Sequence, residues 1–264
     1  MVREDTTAKI FLAAVIVLGM TICSLTGHSE SFDKPVRETV ISLGRSRYLM
    51  ANNPSRIQLS CFYYQKFMVK QLNNPGLKGV RWVTVTPVIN NDAPPCRLAH
   101  ASTERFMATA WWGFEGIKRS LLFLHAADGD GNGGMPFRIL DLETGKKLFE
   151  DSTEWKSDLA FLHNRDGTIS LKYSRVVGGA CSIPKDGASC WGKYKRLYGL
   201  ALATAPKCTG YRNEGDKEWV AGDPGTPPEE ISTPSAIAYP VELKLFPRPS
   251  IRVIPGPVRC TPVE

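Results

Sequence analysis

Histidine is scarce in this chain of 264 residues, with four in all, and the signatures of several common catalytic centres are missing. No G-x-S-x-G elbow, no H-E-x-x-H pair and no G-x-x-x-x-G-K-[ST] loop occurs, which removes elbow-type hydrolases, zincins and P-loop nucleotide enzymes. Cysteines come no closer than positions 181 and 190, so the short C-x(2–4)-C step of a structural zinc site is absent. There is no basic tract of five residues, and nucleic acid is therefore a poor partner despite a net charge of +7. A repeat of propeller-blade length is also missing: the strand-turn-strand piece FRILDLETGKKLFE occurs once. Only one long apolar run exists, which excludes a multi-span membrane protein.

That run, IFLAAVIVLGMTICSLTG, spans positions 10–27, follows Arg3 and Lys9, and precedes small and polar residues. The layout predicts a secretory signal over residues 1–29, cut after Ser29 or Ser31. The alternative is an uncleaved anchor helix, since a helix of this length covers about 27 Å of a hydrocarbon core about 30 Å thick. Cys23 fits a lipid attachment site poorly, because the bulky Ile22 precedes it.

Six cysteines lie beyond the signal: Cys61, Cys96, Cys181, Cys190, Cys208 and Cys260. An even number behind an export signal is the pattern of a disulfide framework in an oxidising compartment, periplasmic or secreted. Cys181 with Cys190 is the pair with a local argument, because Asp186-Gly187 between them can turn the chain back. Cys61 with Cys96 and Cys208 with Cys260 follow by elimination only. Each bridge would contribute about 2–4 kcal/mol.

Past the signal, short runs of period-two alternation recur between Gly, Pro, Asn and Asp clusters. The clearest is 168–175, with Ile169, Leu171 and Tyr173 on one face and Ser170, Lys172 and Ser174 on the other. Similar runs cover 56–63, 80–88, 105–112, 119–124, 137–142, 159–163, 195–202, 241–246 and 251–254. They predict an all-β fold, an antiparallel sandwich, barrel or propeller-like sheet, preceded by the N-terminal apolar signal or anchor helix. Residues 59–72 also accept a helical reading. Ten of the nineteen prolines fall between positions 223 and 264, so 221–233 reads as a surface loop and the two strands after it as edge strands. The expected organisation is a signal at 1–29, an all-β domain at 30–220, and a Pro-rich segment at 221–264 tied to that domain.

Three candidate chemistries follow. Asp128, Asp130 and Asn132, with Gly133 at the sharp turn, resemble the first half of a calcium loop, but Pro136 and Ile139 occupy the places of the remaining ligands. Calcium is thus a weak cofactor expectation, set against a plain Gly-rich hairpin connection. His100, His125 and His163 are the histidines beyond the signal; His125 and His163 each precede an aspartate by three residues. A hydrolase would draw on these two and the Asp128 loop. Finally, residues 191–198 (WGKYKRLY) mix aromatic and basic side chains, and as a strand would set Tyr194, Arg196 and Tyr198 opposite Lys193 and Lys195. Trp111 and Trp112 would likewise face opposite ways along one strand.

The resulting expectation is an exported, disulfide-stabilised binding or structural module of the cell envelope or extracellular space. Its cationic surplus suits an anionic envelope polysaccharide or lipid surface. The alternative is a secreted or periplasmic hydrolase with dispersed active-site residues.

Overall fold

The computed structural model describes residues 31–45, 56–74, 79–90, 92–126, 134–154, 159–164, 166–179, 181–208 and 234–261. The signal region 1–29, the loop 221–233 and the calcium-loop candidates Asp128, Asp130 and Asn132 lie outside the described residues.

The described residues form two open antiparallel sheets, neither of which closes into a barrel. In the first, β1 (Arg37–Arg45), β2 (Arg56–Tyr63), β3 (Phe67–Asn74), β4 (Gly79–Pro87) and β5 (Arg105–Thr109) follow one another as a meander. The second begins with another meander, β6 (Trp112–Lys118), β7 (Leu121–Ala126), β8 (Gly134–Asp141) and β9 (Lys147–Glu154). It continues through β11 (Ile169–Gly178), β12 (Ala236–Lys244) and β13 (Ser250–Val253); β10 (Ala160–His163) pairs with β11, and β14 (Arg259–Thr261) with β12. Among the described residues one helix, α1 (Ile183–Tyr198), packs on this sheet.

The alternation of side chains along a strand divides the core. Leu121 and Phe123 of β7, with Phe137 and Ile139 of β8, join residues of β10, β11, β12 and α1 in one cluster. Leu122, Leu124, Leu140 and Leu142 point the other way and pack on Val69, Val80, Val83 and Val85 of the first sheet. Strands buried on both faces read as continuous apolar runs, which is why Leu121 to Leu124 carry no polar residue. The two sheets are also joined by a hydrogen bond, 2.6 Å from the Phe114 N–H to Gln71 Oε1.

Several sequence expectations need correction. Residues 59–72 are a hairpin of β2 and β3, because both faces of the first sheet are covered and an apolar run can therefore remain extended. The run 105–112 is two strands, since Ala110 and Trp111 take positive φ (27° and 77°) and break it. Residues 241–246 do not form an edge: β12 pairs with β11 on one side and with β13 and β14 on the other, leaving the edge to β13. Pro240 is accommodated there, with its carbonyl accepting from Ile254 N–H.

The largest correction is α1, where alternation suggested a strand over 195–202. Ser182 caps its N-terminus and accepts from Lys185 N–H, Asp186 sits in the first turn, Lys195 and Arg196 sit in the last, and Gly199 closes it at φ 71°. Helical spacing then places Cys190, Trp191 and Tyr194 inward together. The Tyr194 hydroxyl donates to the carbonyl of Ser235. Gly187 is non-helical (φ 51°) and kinks the element.

Three disulfides staple this framework: Cys61–Cys96, Cys181–Cys190 and Cys208–Cys260. They point to an oxidising, extracytoplasmic environment. Among the described residues, no helix is long and apolar enough to cross a membrane.

Two glycines give opposite predictions. A Cβ at Gly116 would lie 2.4 Å from Cγ of Phe32, whose ring packs edge-on against Phe123 and Phe161 at 5.2 and 5.1 Å. Gly116→Ala should therefore lower stability by about 1–3 kcal/mol. Gly192 in α1 meets only the end of Arg196 at 3.7 Å, so Gly192→Ala should raise it by about 0.5–1 kcal/mol. Urea unfolding of the two variants checks this, and equal midpoints would contradict the seating of Phe32.

Candidate functional site

A cleft of about 560 Å³ opens where turns from both sheets meet the segment entering β1. Its wall begins at Asp33, whose N–H donates to Ile117 O (2.8 Å) at the end of β6. The Asp33 carboxylate caps the β6–β7 turn: Oδ2 accepts from Arg119 N–H at 2.6 Å, and Oδ1 pairs with Lys118 Nζ at 3.2 Å. Arg119 takes positive φ (55°) in that turn, and its guanidinium donates to Gly167 O and contacts His163 Nδ1 at 3.1 Å. The facing wall is the β2–β3 turn, closed by Tyr64 N–H to Phe67 O (2.7 Å) and carrying Tyr64, Gln65 and Lys66.

Lys34, Lys66 and Arg119 thus line the cleft with Asp33 and Glu143. Both Asp33 oxygens are already engaged, which shifts the balance of available charge towards the cations. Burial, then the charges of Asp33 and Glu38, push the Tyr64 phenol up to about 12, so it stays protonated as a donor at neutral pH. Val36, Phe67 and Ile117 supply an apolar floor. The arrangement offers hydrogen-bond donors and positive charge over a hydrophobic base, which suits binding of a polar anion.

The three candidate histidines stand apart. His163 bonds to Arg119, just before β7 begins, whereas His125 lies near the far end of that strand. His125 Nδ1 is 2.7 Å from Glu115 Oε2 but is not aligned for a hydrogen bond. The pair borders a smaller pocket of about 300 Å³ with Phe123, Met135, Phe137 and Leu159. The geometry does not bring His125 and His163 together. Among the described residues, the grouping with metal-ligand spacing is Cys181, Asp186 and Cys190, and its two sulfurs are consumed by their bridge.

His100 belongs to a network that the sequence reading missed. Lys70 of β3 and Glu104, at 2% and 1% side-chain exposure, form an ion pair of 2.8 Å on the outer face of the first sheet. Lys70 also donates to the carbonyls of Arg97 and Ala99, both at 3.1 Å. Glu104 accepts from Thr84 Oγ1 (2.5 Å), His100 Nδ1 (2.8 Å) and Ala101 N–H (3.0 Å). Burial alone would raise this carboxyl, yet the hydrogen bonds from Lys70, Thr84, His100 and Ala101 outweigh it and hold Glu104 below the usual carboxylate range. Together with Cys61–Cys96, the pair fastens residues 92–104 across the sheet. A lysine inside the apolar run of β3 was the available signal, since buried lysines require partners.

Because folding lowers the Glu104 carboxyl, its stabilising effect is complete above the ordinary value of 4.5 and is lost as pH falls through the lower folded value. Melting temperature should fall as pH drops below about 4.5, and Glu104→Gln, less stable at neutral pH by about 3 kcal/mol, should show a shallower acid limb. Parallel limbs in thermal melts from pH 7 to 2 would contradict the assignment.

No protein-family model matches the chain, and no curated protein or solved structure does so either.

Proposed function

We propose that this chain is an exported binding module of the cell envelope or extracellular space, and that the cleft between the sheet ends takes an anionic envelope polysaccharide. The observation that carries the reading is the charge arrangement of the cleft: Lys34, Lys66 and Arg119 on its walls, with Asp33 occupied by Lys118 and by the Arg119 N–H. The rims are turns anchored on two sheets, the usual placement of recognition residues on a rigid scaffold. Three disulfides and the apolar N-terminal run support export, the run acting as signal or anchor. A net charge of +7 adds a general attraction to polyanions, screened beyond about 8 Å at physiological salt.

Polygalacturonate serves as the probe. It should bind in calorimetric titration at low salt, weaken as salt rises, and lose about tenfold in affinity in the Lys34→Glu/Lys66→Glu double variant. Binding unchanged in that variant would refute the cleft. Adsorption to anionic lipid vesicles with polygalacturonate ignored would move the partner to a lipid surface.

A further inference from the structure

On the outer face of the first sheet, His100 contacts two other rings. His100 packs against Trp82 of β4 at 5.0 Å between centroids and against Phe106 of β5 at 4.7 Å. Phe106 is 56% exposed and the His100 side chain 39% exposed. Leu98, between the two carbonyls that Lys70 holds, is exposed beside them in the chain.

The imidazole is fixed from below. Its Nδ1 is held by Glu104, itself locked by Lys70, Thr84 and the Ala101 N–H, so the ring cannot turn without breaking a buried network. With Nδ1–H donating to the carboxylate, Nε2 of the neutral ring is an acceptor, and no described residue donates to it. The charge of Glu104 is matched by Lys70, so it does not call for a cation on the surface. The inner side of Trp82 is also taken, by Lys70 Nζ at 5.5 Å from the ring centroid.

An exposed aromatic ring beside one oriented acceptor fits a ligand with an apolar C–H face and hydroxyls around its rim. We propose that His100 and Phe106, with Trp82 backing the imidazole, form a saccharide platform, on which a neutral pyranose ring stacks against Phe106 while one hydroxyl donates to His100 Nε2. The platform stands independently of the charged cleft: it takes uncharged sugar, and its binding should not depend on salt.

The test uses cellotetraose, chitotetraose and mannotetraose as probes, read by tryptophan fluorescence and calorimetry on the full, oxidised protein. At least one should bind saturably with a Kd at or below about 1 mM, unchanged between low and high salt. Phe106→Ser and His100→Ala should each weaken it about tenfold, while Lys34→Glu/Lys66→Glu leaves it intact. Phe106→Ser changes an exposed position and should melt like the parent protein, which separates lost binding from lost folding. Absence of binding by all three sugars at about 10 mM, or binding that survives Phe106→Ser, overturns the platform without bearing on the cleft.

Discussion

Lys70 and Glu104 carry opposite charges in a place where water cannot reach them, and the first sheet is organised around meeting their needs. Removing an ion from water costs several kcal/mol even after relaxation, so such a pair persists only when its remaining donors and acceptors are also satisfied. Here two backbone carbonyls, a threonine hydroxyl, an imidazole and a backbone N–H complete the set. The consequence is architectural. A connection that would otherwise run over the surface is drawn down onto β2, β3 and β4, and Leu59, Cys61, Met68 and Leu72 gain a cover.

That cover gives the first sheet a second buried face, as α1 does for the second sheet. The first sheet packs inward on β7 and β8 through the valines of β3 and β4, and outward beneath its own connection. The second packs inward on the first and outward on α1, whose Trp191 and Tyr194 fill the cluster around Tyr239. Function is then left to the rims and to whatever the covering segments present. The cleft arises where the Asp33-capped turn faces the β2–β3 turn, and the ring platform arises because the network beneath Glu104 orients His100 outward.

Legibility in the sequence followed the physics of each element. The alternating run at 168–175 became β11 because Ile169, Leu171 and Tyr173 meet a packed core, although Ser170, expected to face water, is buried on the other face. Alternation misled at 195–202, where aromatic residues three and four apart satisfy a helix and the deciding signals were the caps, Ser182 and Gly199. Gly187 does take the positive φ suggested by its place between Cys181 and Cys190, but it kinks a helix rather than turning a hairpin. β1 gave little signal, since it is a largely exposed edge, and half-buried β9 was legible only in its start, the second strand of FRILDLETGKKLFE. The network of Lys70, Glu104 and His100 joins positions separated by as many as 34 residues, and the cleft collects Lys66 and Arg119 from two separate turns and Lys34 from the segment entering β1. No local pattern encodes such convergence.

The dependence of this architecture on one buried ion pair is tested most directly by a double-mutant cycle on Lys70→Met and Glu104→Gln, followed by equilibrium unfolding at neutral pH. Each single change leaves an unmatched buried group and should cost about 3–5 kcal/mol, while the double variant should cost clearly less than the sum, giving a coupling above about 1 kcal/mol. Additive losses, or single variants as stable as the parent protein, would contradict the account.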